Sequence, residues 1–209
     1  MKKQLLLSTL LGAVAAFSLA QGAFAANNAS QIITGSLAAT KAITVKSGQS
    51  TTTSIAPSSG VLAAQLTPGF TLNDNEAIGA LTLTATVDTG AATPCFGVGT
   101  DTFNYIALGN TTTKPSASDV ANAIAADIDL NPNVIAYKIA APAVTKISGS
   151  GSLTAFAYGS NKWTSTGGDA GVYDVIITSD AAKAARTGTF DSTDLVGNYA
   201  ANLTLTFDS

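Results

Sequence analysis

The chain has 209 residues, with 10 Lys and Arg against 13 Asp and Glu, no His and one Cys. Charged residues make up 11% and hydrophobic ones 46%, where about 25% charged is usual for a globular domain. The missing His removes the commonest general base and metal ligand, a lone Cys makes neither a thiolate metal site nor an internal disulfide, and a formal charge of −3 is the wrong sign for nucleic acid or an anionic membrane.

Lys2 and Lys3 precede an apolar run from Leu5 to Leu19 that closes at Ala23-Phe24-Ala25. A basic start, a short apolar core and an A-x-A site read as a secretory signal peptide over residues 1–25. The run is short for a membrane span, and the absence of Cys at position 26 argues against a lipoprotein. Cleavage leaves 184 residues, enough for one domain with a sizeable core. The charge then becomes −5, because the leader holds two lysines and no acid.

Residues 26–31 are polar. Ile33, Gly35, Leu37 and Ala39 then share one face of an alternating segment that continues through Ile43 and Val45, the period-two signature of a strand. A Thr-rich turn region over 46–54 and a Pro57-Ser58-Ser59-Gly60 turn lead to an apolar run, Val61 to Leu66. Asn73-Asp74-Asn75-Glu76 carries the acids of a calcium loop without its Gly or ligand spacing, which favours a solvated turn. Ile78 to Val87 is the best internal strand, with Leu81, Leu83, Ala85 and Val87 on one side. Cys95 is either a buried free thiol or a partner in intermolecular pairing.

Phe103 to Leu108 reads as a strand. Ser116-Ala117-Ser118-Asp119 supplies a cap and an acid for a helix start. Val120, Ile124 and Ile128 follow on one helical face, and Pro132 ends the run before a strand over Val134 to Ile139. The 103–139 stretch therefore looks like a helix-containing insertion in an all-β domain, serving either as a surface ornament or as a cap over one end of the sandwich. Beyond Pro142, strands are expected over Leu153 to Tyr158 and Val172 to Ile177. Trp163 lies in the Gly/Ser/Asn-rich loop between them, either as a packing plug or, with Tyr158, as a sugar-stacking platform. Gly167-Gly168-Asp169-Ala170-Gly171 lacks a following Lys or a dinucleotide fingerprint and reads as a flexible loop.

Tyr199, Ala201, Leu203, Leu205 and Phe207 alternate with Ala200, Asn202, Thr204, Thr206 and Asp208. The sequence stops two residues after Phe207, which leaves this strand no successor to pair with, and an open edge invites pairing with another chain. Short strands at intervals near ten residues favour a β-sandwich. No carboxylate pair is singled out for catalysis, so the expectation is a non-enzymatic protein without cofactor or metal.

Three features together resemble fimbrial subunits of the chaperone–usher pathway. They are the signal peptide, the polar N-terminal tail feeding an alternating strand, and the Gly197-Asn198-Tyr199 start of the final strand. Pro68-Gly69-Phe70-Thr71 followed by Ile78 to Ala85 is similar to the enteric fimbrins and colonisation-factor pilins that lack a disulfide. The resemblance covers both ends and residues 66–87, not 100–140. It implies an incomplete immunoglobulin-like sandwich over 41–209, completed by a donor strand, with residues 26–40 as the donor extension. On that basis Ile33, Gly35, Leu37 and Ala39 are the donor face. Tyr199, Leu203, Leu205 and Phe207 border the acceptor groove and meet a periplasmic chaperone, which would also grip the Ser209 carboxylate. The implied partners are identical subunits in a homopolymer, the chaperone, an outer-membrane usher and a host glycan or protein receptor, with no nucleic acid. The implied destination is a surface fimbria reached through the periplasm. The alternative is a self-contained secreted surface-matrix or carbohydrate-binding sandwich.

Overall fold

The computed structural model describes residues 38–53, 64–125, 133–180 and 197–208. The signal peptide, the donor residues Ile33, Gly35 and Leu37, and Ser209 lie outside them. Of the N-terminal unit, Met1–Ala39, only Ala38 and Ala39 are described. The other described residues belong to the second unit, Thr40–Ser209.

Its described residues form three antiparallel sheets and one helix. The first sheet runs in the order β1 (Lys41–Val45), β2 (Gly69–Asp74), β11 (Gly171–Ile176), β8 (Ala143–Ser148). In the second, β3 (Leu81–Asp88) pairs with β13 (Asn202–Phe207) on one side. Its other side takes β10 (Lys162–Ser165) and then β4 (Ala92–Pro94), and β9 (Ala157–Gly159) lies beyond β10. In the third, β6 (Asn104–Asn110) pairs with β7 (Val134–Lys138) along one side and with β5 (Phe96–Val98) and β12 (Tyr199–Ala200) along the other. This is the all-β, sandwich-type architecture expected from the alternation.

One buried cluster draws on all three sheets, through Phe70 and Leu72, Leu81 and Leu83, and Tyr105 and Ala107. β3 keeps the expected pattern, with Leu81, Leu83, Ala85 and Val87 in the core. β6 is buried on both faces at every position after Asn104, because α1 (Ala117–Ala125) packs against β5, β6 and β7 through Val120, Ala123 and Ile124. The helix starts on a reciprocal cap, in which the Asp119 N–H donates to Ser116 Oγ (3.2 Å) and the Ser116 N–H donates to Asp119 Oδ2 (2.8 Å). The 103–139 stretch is therefore not an ornament: it supplies the central strand of the third sheet and the helix that covers it. Ile128 lies outside the described residues.

Two crossings join the second and third sheets. At Cys95 the chain passes from β4 to β5; the Cys95 N–H donates to the Ala85 carbonyl (3.0 Å), and the Cys95 carbonyl accepts from the Ala107 N–H (2.9 Å). At Ala201 it passes back from β12 to β13. The single final strand expected from the sequence is thus two strands in two sheets, although the alternation of outward and inward side chains runs unbroken from Tyr199 to Asp208.

Gly167 and Gly168 are not a loose loop. Gly168 bridges both Ile78 and Leu153, and Gly167, at φ +92°, passes so close to the Ile78 and Gly79 carbonyls that a side chain has no room. β8, whose six residues show little alternation, and the short β4 and β5 carry no period that marks them as strands in the sequence.

Candidate functional site

In an antiparallel pair every second residue turns its backbone toward the partner, and the residues between turn it away. The Asp208 N–H donates to the Ala80 carbonyl (2.8 Å), which sets the parity of β13 against β3. Asn202, Thr204 and Thr206 therefore face β3 with their backbone, while Leu203, Leu205 and Phe207 present N–H and C=O to the opposite side. Among the described residues no strand takes them up. The same parity holds on β1, where the Lys46 N–H donates to Gly69 (2.9 Å) and the Thr40 carbonyl accepts from Asn75 (3.1 Å). Lys41, Ile43 and Val45 are left with outward-facing backbone, and again no described strand pairs with them.

The register also sets these six residues on the same faces as buried partners. Leu203, Leu205 and Phe207 stand opposite Ala85, Leu83 and Leu81, all in the core. Lys41, Ile43 and Val45 stand opposite Asp74, Leu72 and Phe70, also buried. Cover over them is incomplete: Leu205 is buried, Leu203, Phe207 and Ile43 are half-buried, Lys41 is exposed and Val45 is 74% exposed. The two edges meet at one corner, where Lys41 Nζ lies 4.4 Å from the centroid of the Phe207 ring, a cation–π contact. Among the described residues this leaves, between β1 and β13, a gap flanked by two backbones without a partner strand and by apolar side chains, with the exposed Lys41 ammonium at its corner.

Other strand edges carry protection of the kinds that suppress stray pairing. β8 has a register shift against Val172 and Tyr173 and carries Lys146, β9 has three residues, and the Lys138 carbonyl of β7 accepts from Asp180 N–H (2.8 Å). β13, Asn-Leu-Thr-Leu-Thr-Phe, has no charge, proline or bulge.

Of the residues singled out from sequence, the structure brings Leu203, Leu205 and Phe207 together on this edge. Tyr199 sits apart on β12, opposite Asn110 in the third sheet. Ala39 is exposed and outside any strand. Lys41, Ile43 and Val45 complete the gap; the period-two pattern through Ile43 and Val45 signalled the last two, whereas nothing in the sequence marks Lys41.

The remaining candidates have structural roles. Trp163 is 3% exposed and packs edge-on against Tyr158 with ring centroids 5.3 Å apart, so its indole face is closed to a sugar. Asp74 Oδ1 accepts from the Glu76 N–H (2.9 Å), an Asx turn. Cys95 is buried, and burial pushes its thiol up to about 12, which leaves it protonated and unreactive at neutral pH.

Comparison of the chain with protein-family models, curated proteins and solved structures finds no match.

Proposed function

We propose that this chain is a structural subunit of a surface fimbria, polymerised by donor-strand exchange. In this reading the body is an incomplete immunoglobulin-like sandwich, and the gap between β1 and β13 receives residues 26–39 of the next subunit. The observation that supports it is the coincidence on one edge, at Leu203, Leu205 and Phe207, of backbone without a partner strand among the described residues and inward side chains of which Leu203 and Phe207 are only half-buried. An incoming strand would satisfy both at once, with main-chain pairing for affinity and side-chain positions for specificity. Chaperone, usher, receptor and the non-enzymatic role belong to the same proposal.

The test is self-complementation. Residues 26–39, appended after Ser209 through a flexible linker, should act as an intramolecular donor at roughly millimolar effective concentration. The linked chain should be monomeric and melt well above the chain lacking 26–39, and that truncated chain should fail to form fibres. Equal melting of the two, with fibres still formed by the truncated chain, favours a self-contained sandwich instead.

A further inference from the structure

On the two edge strands β1 and β13, Lys41 is the one charged side chain that the register turns to the inward face, in the row that continues with Ile43 and Val45; Asp74, opposite it on β2, is buried and accepts from the Glu76 N–H. The ion pairs among the described residues involve Lys46 and Lys114; the Lys41 ammonium forms none with Asp74 opposite it and lies instead over the Phe207 ring. An inward-pointing charge on an edge strand is a known barrier to indiscriminate pairing. A strand seated between β1 and β13 displaces water from around that ammonium, and an unpaired buried charge is strongly penalised. A second cation placed beside it adds like-charge repulsion.

We propose, resting on the strand-acceptance reading above, that Lys41 is the specificity-determining residue of the gap. It admits an extended strand from a second copy of this chain that is small and uncharged where it passes Lys41, favours an acid there, and refuses a cation. Residues 26–40 fit this demand: they contain no Lys, Arg, Asp or Glu, and Gly35, Ala38 and Ala39 are small. The charge acts as a filter on partners, since rejection of wrong strands is as much a part of specificity as contacts to the right one.

The experiment measures binding of the 26–39 peptide to the purified chain and to its Lys41→Met and Lys41→Gln variants. Peptides carrying Glu or Lys at position 35, 37 or 39 are measured beside it. With Lys41 present, the Glu peptide should bind at least about tenfold tighter than the Lys peptide at the position that meets it. In both variants that ratio should fall to within about twofold, while the unmodified peptide still binds. A ratio equal in all three proteins overturns the role of Lys41 and leaves the gap itself standing. Failure of every peptide, the unmodified one included, to bind any of the three proteins overturns strand acceptance and the filter together.

Discussion

Asp174 lies on the face of the first sheet turned away from the core, yet it is 5% exposed. Lys46 Nζ donates to its Oδ2 at 2.6 Å and Thr71 Oγ1 to its Oδ1 at 2.7 Å. Burial alone raises a carboxyl pKa, but the hydrogen bonds from Lys46 and Thr71 and the Lys46 charge outweigh it and hold Asp174 below the usual carboxylate range. A folded-state pKa below the unfolded one stabilises the fold above the ordinary carboxylate value and ceases to do so as pH falls through the lowered one. Melting temperature should therefore drop as pH is lowered below about 4, and Asp174→Asn should flatten that drop; an unchanged acid limb in the variant would show that other carboxylates carry it. The β9–β10 turn offers a gain instead. Ser160 and Asn161 both have positive φ, 53° and 61°, as a two-residue turn of type I′ requires, and Asn-Gly suits it better. Ser160→Asn with Asn161→Gly should add about 0.5–1 kcal/mol in denaturant unfolding.

Strand β13 and helix α1 test which faces the elements bury. Leu205 is buried and Thr204 exposed, so Leu205→Asp should cost several kcal/mol, about 2–5, and Thr204→Asp less than about 0.5. Equal losses by denaturant unfolding would contradict the facing of β13. Gly97 lies against the Ile124 side chain, where any Cβ overlaps it. Gly97→Ala should therefore push α1 off the third sheet and cost about 1–3 kcal/mol, read as a lower unfolding midpoint. The buried faces of β3, α1 and the final strands were legible in the sequence because each repeats its period over several residues. Leu81 to Val87 and Leu203 to Phe207 alternate, and Val120 with Ile124 marks a helical stripe. The place of 103–139 was not legible, because β6 is buried on both faces and its Tyr-Ile-Ala-Leu run carries no period that shows what covers it. Nor was the break at Ala201, since crossing from one sheet to another keeps the inward parity unchanged.

At the scale of the molecule, the inward face of Asn202 to Phe207 was foreseeable from its alternation, whereas the edge of β1, which like that of β13 has no partner strand among the described residues, was not. Pairing partners are set by topology, and only the register of β1 against β2 shows that Lys41, Ile43 and Val45 look inward across a gap. Trp163 is the packing plug that one of its two readings has it be, but its place in strand β10 was not legible for the same reason: among Gly, Ser and Asn it looks like a loop residue until β9 and β10 pair around it. The crossings at Cys95 and Ala201 carry a mechanical consequence. β3 and β6 are tied together by two continuous lengths of chain, β4 into β5 and β12 into β13, so the second and third sheets cannot be prised apart by breaking one ladder. A pull along β13 passes through Ala201 into β12 and on to β6, loading two ladders in shear rather than unzipping one bond by bond. Under tension these two sheets would bear load as one piece, whereas β1, a strand of five residues with β2 as its neighbour among the described residues, would peel from the first sheet by breaking a single ladder.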